Sequence, residues 1–308
     1  VIELAGRILQ APDQARAELE AFVRSTSFPL LEDDTATFFF WDGGGVDTVR
    51  LVHWVFGLES RQEFVRLEGT DALYLPVELP HAARVEYKLE VVRGGQGQLL
   101  RDPLNDRLAR DPFGANSVCT MPGYAEPGWT QPDGGNRQGS LEKIRVHSAA
   151  WGEDRAALVY LPYEYSPQKT YPLLVCLDGP DYLRFASAKV VLDTLIRRHE
   201  VKPLVVAFVA PGGSRNAEYA ANPRQADFIV QDLLPALAGR YGLSDDPKDR
   251  GLLGASFGAV AALHTGWTHP GQFGRLLLQS GSFAFTDIGR HDRGPLWDPV
   301  VAFVNAFR

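Results

Sequence analysis

Short stretches rich in β-branched and aromatic residues run from about Thr35 to Leu100, separated by Gly, Asp and Pro turns. They read TATFFFWD, TVRLVHWV, FVRLEG, LYLPVELP and RVEYKLEVV. Several strands at this spacing predict a small β-sandwich. Ahead of them, APDQARAELEAFVRST carries apolar residues at helical spacing: Ala17, Leu19, Phe22 and Val23. Beyond residue 140 the pattern changes. LEKIRVHS and RAALVYLP alternate as a hairpin would, whereas YPLLVCLDG, KPLVVAFVAP, RGLLGA and RLLLQSGS are near-continuous apolar runs. Helical stretches lie between those runs: Ser187 to His199, Asn222 to about Tyr241, and Ser256 to Trp267. Asn222-Pro223 opens the second of them, with Asn as N-cap and Pro in the first turn. Continuous apolar strands alternating with helices predict a parallel sheet covered on both faces.

The segment MPGYAEPGWTQPDGGNRQGS, full of Pro, Gly, Asn and Asp, has no apolar period and reads as a linker. The expected organisation is a β-sandwich domain over 1–120, a linker over 121–140, and an α/β domain over 141–308. No internal repeats are present.

Composition narrows the function classes. The chain has 308 residues, 45% of them hydrophobic, enough for one large domain or two ordinary ones. Its net charge of −7 argues against a nucleic-acid binder, which needs a basic footprint for phosphate contacts. The two cysteines, Cys119 and Cys176, match no zinc or redox spacing, and Cys176 reads as a buried free thiol. No apolar run reaches membrane-spanning length and no basic-plus-apolar leader opens the chain. The expectation is a cytoplasmic protein with no membrane or nucleic-acid partner and no metal or organic cofactor.

The chemistry concentrates in RGLLGASFGAVAALH, from Arg250 to His264. Gly-x-Ser-x-Gly alone is a weak signal, but here it falls between an apolar strand and a small-residue helix. That is the setting of a nucleophile elbow, with Ser256 as nucleophile. Gly254 and Gly258 keep the turn free of bulk, and Ala255, Ala259, Ala261 and Ala262 let the helix lie close to the sheet. A serine hydroxyl needs a base to remove its proton and donors for the oxyanion that forms. One donor is expected to be the backbone N–H of Phe257. The other comes from the loop DGPDYL, where Pro180 has no N–H; this leaves Gly179 or Asp181, with Asp181 preferred.

PLLVCLDG, SRNAEYAANPRQADFIVQDLLPAL and GASFGAVAALHTGWTHPGQFGRLLLQSGSF together resemble the catalytic domain of the enterochelin (ferric enterobactin) esterases, an esterase D-like branch of the α/β-hydrolases. RVEYKLEVV followed by RDPLNDRLARDPFG resembles that family's immunoglobulin-like N-terminal domain. The resemblance spans most of the chain from about Trp41. It implies a serine esterase acting through an acyl-enzyme on the ester bonds of a catecholate siderophore, a small-molecule substrate that brings its own iron. By the same resemblance Ser256 is the nucleophile, Arg215 faces an anionic substrate or pairs with Glu218, and Tyr182 or Trp267 stacks on aromatic groups or fills core.

The order in such hydrolases is Ser, then the acid, then His. His264 lies eight residues along the helix that Ser256 opens, about 12 Å away at about 1.5 Å per residue, too far to bond the serine. His269 stands at the helix exit. His291 lies on a polar loop after the last apolar strand, at the correct sheet edge, and is the candidate base within the chain. The family's Gly-Gly-His-Asp-like segment is absent, so the acid and histidine are expected beyond Arg308, with the α/β domain cut short. Two other readings remain: a different serine hydrolase or acyltransferase (feruloyl, sugar-ester or thioester type), and a non-catalytic binding protein.

Overall fold

The computed structural model describes residues 1–55, 57–132, 137–286 and 292–307. The chain divides into two compact units, Val1–Glu126 and Pro127–Arg308.

The first unit opens with two helices, α1 (Ile2–Gln10) and α2 (Ala15–Ser25). Its strands are β1 (Leu30–Glu32), β2 (Thr35–Phe40), β3 (Thr48–His53), β4 (Arg61–Glu63), β5 (Val65–Arg66), β6 (Leu73–Glu78), β7 (Arg84–Arg93), β8 (Gln96–Leu100), β9 (Leu108–Asp111) and β10 (Gly114–Thr120). One sheet runs β1-β2-β6-β5 and the other β4-β3-β7-β10-β9, with β8 on β7. All the pairings are antiparallel. The three consecutive phenylalanines of β2 are explained by burial on both faces. Phe38 and Phe40 join Leu51, Tyr87 and Leu89 in the sandwich core. Phe39 points the other way, onto Leu4, Ile8 and Leu19 of the two helices. Sequence patterning anticipates α2 and the strands β2, β3, β5, β6 and β7, but not α1, the short strands β1 and β4, or the strands β8 to β10, whose largely polar stretches alternate weakly.

The second unit is one six-stranded sheet in the order β11-β12-β14-β13-β15-β16. These strands are β11 (Ser140–Ser148), β12 (Glu153–Leu161), β13 (Leu173–Leu177), β14 (Val205–Val209), β15 (Arg250–Ala255) and β16 (Arg275–Gln279). β11 and β12 form the antiparallel hairpin, β12 pairs antiparallel with β14, and the other four run parallel. The helices are α3 (Gly179–Phe185), α4 (Ala188–Arg197), α5 (Arg215–Tyr219), α6 (Pro223–Asp227), α7 (Leu234–Ala238), α8 (Phe257–Thr268) and α9 (Asp298–Ala306). Val175, Leu177, Val205, Ala207 and Val209 face a core shared with Phe228, Leu233, Val260 and Phe303. On the other face, Cys176, Val206 and Phe208 pack with Leu183, Leu192 and Ile196. Burial on both faces is why these strands read as unbroken apolar runs. It also pushes the Cys176 thiol pKa well above its ordinary value.

Asn222 caps α6 as its sequence announces, its side chain accepting from the Arg224 N–H. The helix that follows is not uniform. Phe228–Leu233 forms a π-helical turn between α6 and α7. Pro235, at the start of α7, has no N–H to give to the preceding turn, and the ladder widens just ahead of it. The edge strand β16 is exposed along its whole length, Leu276, Leu277 and Leu278 included. Among the described residues, no helix is long and apolar enough to cross a membrane.

Within α8, His264 is buried edge-on against Phe303, with ring centroids 5.0 Å apart. Burial, with His269 adding to it, pushes its pKa from 6.5 down to about 4. The folded state therefore holds His264 neutral. Its contribution is complete above about pH 6.5 and is lost as the pH falls toward 4, by about 3 kcal/mol. Denaturant unfolding followed from pH 7 to pH 4 should show a steeper loss for the wild type than for His264→Gln; parallel curves would remove His264 as the cause.

Candidate active site

β15 ends at Ala255 and α8 begins at Phe257, so the whole reversal falls on Ser256. Its backbone sits at φ 55°, ψ −122°, a region that a residue with a side chain seldom occupies. Two glycines make this turn possible. A Cβ on Gly254 would lie 2.2 Å from the Gly258 carbonyl oxygen, so the incoming strand and outgoing helix approach closer than any side chain allows. A Cβ on Gly258 would lie 3.2 Å from Asp178 Oδ2. Ala259, Ala261 and Ala262 are buried, which brings α8 down onto the sheet.

The turn is also held from β16 and the loop after it. The Ser256 N–H donates to Gln279 O at 3.0 Å, and the Ser282 N–H donates to Ser256 O at 3.2 Å. Among the described residues, the hydroxyl partner of Ser256 is the Ser282 hydroxyl, at 2.8 Å. Ser282 was not singled out by sequence patterning; its only mark there is its place just after an apolar strand. Phe257 is the first residue of α8, so its N–H has no acceptor within the helix and stands beside the Ser256 hydroxyl.

A second turn faces this one at the same end of the sheet. β13 runs into Asp178, a non-glycine residue in the left-handed region (φ 55°, ψ 35°), and α3 starts at Gly179. The DGPDYL segment, expected as a loop, is therefore a short helix. The Asp181 N–H, expected as an oxyanion donor, donates to Asp178 O at 2.9 Å and closes the first turn of α3. Pro180 has no N–H, and Gly179, as first residue, has no acceptor within the helix. The Asp181 carboxyl is raised above its ordinary pKa by burial and by the nearby Asp178.

Arg215 does not pair with Glu218. Its Nε and Nη2 donate to Asp178 Oδ1 and Oδ2, each at 2.6 Å, a bidentate bridge between residues 37 apart in sequence. Glu218 pairs instead with Arg155 at 2.8 Å and accepts from the Gly212 N–H at 2.9 Å. Burial pushes the Glu218 carboxyl up, but those donors outweigh it and hold it below the usual carboxylate range. Tyr182 packs against the Cys176–Phe208 side of the sheet and donates its hydroxyl to the Gln279 side chain. It thus stands one residue removed from the Ser256 backbone contact. Trp267 lies near the far end of α8, half-exposed beside Phe303. His269, at the same end, pairs with Asp227 at 3.1 Å. His291 lies outside the described residues.

The model of a family described as putative esterases matches residues 148–306, just over half of the chain. The chain belongs to this putative esterase family. Its relatives include the iron(III) enterobactin esterase of Escherichia coli (strain K12), 28% identical over 210 residues, covering 67% of this chain and 52% of that protein. That of Dickeya dadantii (strain 3937) is 26% identical over 277 residues, covering 80% of this chain and 60% of that one. The chain spans about half to three-fifths of the length of the curated relatives it matches. Among solved structures, the ferric enterobactin esterase from Salmonella typhimurium superposes with a TM-score of 0.68 at 24% identity, covering 86% of this chain and 77% of that one. The shared fold is an α/β-hydrolase domain preceded in the chain by a small β-sandwich.

The strain at Ser256 has a measurable cost. Ser256→Gly should be about 1 kcal/mol more stable than Ser256→Ala, because glycine alone occupies φ 55° without penalty. Equal denaturant midpoints for the two variants would mean that the elbow stores no strain.

Proposed function

We propose that this protein hydrolyses carboxylic esters through an acyl-enzyme on Ser256, and that its substrate is a catecholate siderophore ester. The observation that carries the reading is the position of Ser256. A hydroxyl held on a strained strand-to-helix turn, at the N-terminus of a buried helix, has a use in acyl transfer that a structural serine does not need. The names of the enterobactin esterases among the relatives support the substrate class.

In this reading Ser256 Oγ attacks the ester carbonyl carbon and a base takes its proton. The carbonyl oxygen becomes an oxyanion that accepts from the Phe257 N–H. The Gly179 N–H at the start of α3 is the second donor, since the Asp181 N–H is spent within its own turn. Collapse of the tetrahedral intermediate returns the proton to the leaving alcohol and leaves the acyl group on Ser256. Water activated by the same base then releases the acid. The base is assigned to a histidine outside the described residues. The Ser282 hydroxyl keeps the nucleophile oriented until that base acts. Tyr182 borders the site and offers an aromatic face to a catechol ring.

Ser256→Ala in the full-length protein should lose hydrolysis of aryl and catecholate esters and lose covalent labelling by a fluorophosphonate, with its fold intact. Labelling that survives the substitution would sink the assignment of Ser256. Ester hydrolysis absent from the wild type itself would favour a binding protein instead.

A further inference from the structure

We infer that Arg215 is a positioning residue that sets the second oxyanion donor, and that it does not read the substrate. The inference rests on the proposed acyl-enzyme reaction at Ser256. An arginine at the mouth of a site for an anionic substrate invites the opposite reading, but each of its three nitrogens already donates within the protein. Nε and Nη2 hold the two Asp178 oxygens, and Nη1 donates to Asn216 Oδ1 at 2.8 Å. The guanidinium carbon also lies 5.3 Å over the ring of Tyr219, which is fully buried.

What the arginine holds matters more than the pair itself. Asp178 is 5% exposed and left-handed, a conformation that costs free energy unless its surroundings impose it. Arg215 fixes its carboxylate, and the Tyr219 hydroxyl accepts from its N–H at 3.4 Å. The residue after it has no slack, because a Cβ on Gly179 would lie 2.3 Å from the Phe208 backbone. The direction of the Gly179 N–H is therefore fixed by the torsion at Asp178. On its other side the Asp178 carboxylate abuts Gly258, two residues past the nucleophile. One ion pair thus joins the β13–α3 turn, α5 and the first turn of α8. With Arg215 removed, a buried carboxylate is left unpaired and the turn that aims Gly179 relaxes.

The two readings of Arg215 part in the kinetics. Arg215→Lys keeps the charge and loses the bidentate fork, Arg215→Gln loses both, and Asp178→Asn removes the partner charge. Each is compared with the wild type and Ser256→Ala in the full-length protein, on a neutral aryl ester, on an aryl ester carrying a carboxylate, and in the rate of fluorophosphonate labelling. Thermal unfolding of each identifies any variant that fails to fold. Loss of one oxyanion donor costs about 10²-fold or more in kcat. The expected result is a fall of that order in kcat on both esters and in labelling, with KM moving by less than about 3-fold. Arg215→Gln combined with Asp178→Asn should then be little worse than either alone, because both act through one bridge. A KM increase confined to the charged ester, with labelling unchanged, would overturn the inference and make Arg215 a substrate reader. Wild-type rates in Arg215→Lys and Arg215→Gln would overturn it as well, leaving the Ser256 reaction standing. A wild-type protein that neither hydrolyses esters nor labels would instead remove the acyl-enzyme reaction itself.

Discussion

Gly254 and Gly258 approach each other more closely than side chains permit, and the active end of the α/β unit is organised around that contact. It lets α8 reverse directly off β15, which leaves one residue, Ser256, to absorb the whole change of direction. The N-terminus of the helix then sits beside the hydroxyl, and the Phe257 N–H is available because the first residue of a helix has no acceptor below it. A larger residue at Gly254 would push the helix outward and let Ser256 relax into an ordinary conformation, and one at Gly258 would press on the Asp178 carboxylate. The small residues further along α8 extend the same close approach, so the strain at Ser256 is balanced by burial along α8.

The second turn, at Asp178, reaches a comparable conformation by another route. No glycine relieves the left-handed residue there. An ion pair and a tyrosine hydroxyl hold it, both drawn from α5, a helix of only five residues. So short a helix has little stability of its own. Its position comes from Tyr219 and Glu218, buried against the sheet and against Arg155. The site is thus assembled from one covalent turn and one non-covalent clamp, at neighbouring strand ends.

The parts of this arrangement that sequence reading reaches are those encoded over short distances. The parallel strands declare themselves because both faces are buried, Asn222-Pro223 because capping is local, and the elbow because its glycines lie within five residues. What escapes is long-range pairing. Arg215 stands three residues from Glu218, a spacing that suggests a helical ion pair. Each instead finds a buried partner far away in sequence, Asp178 and Arg155 respectively. DGPDYL hides its helix because Gly and Pro signal a loop, yet Pro is well tolerated in a first helical turn. The π-helical turn at Phe228–Leu233 is equally silent, since its apolar pattern fits a regular helix.

The phenylalanine run of β2 carries a further consequence, for how the first unit finds its strand register. A strand with one buried face is held in place by alternation, because a slip of one residue turns its apolar side outward. β2 is buried on both faces, so Phe38, Phe39 and Phe40 would satisfy either setting nearly equally well. The discrimination falls to the residues before them. A one-residue slip would move the Thr37 hydroxyl onto the sandwich face that Ala36 and Phe38 now fill, exchanging packed hydrocarbon for a polar group. In folding terms, the largest side chains of this strand supply the cohesion, and Ala36 and Thr37 supply the address.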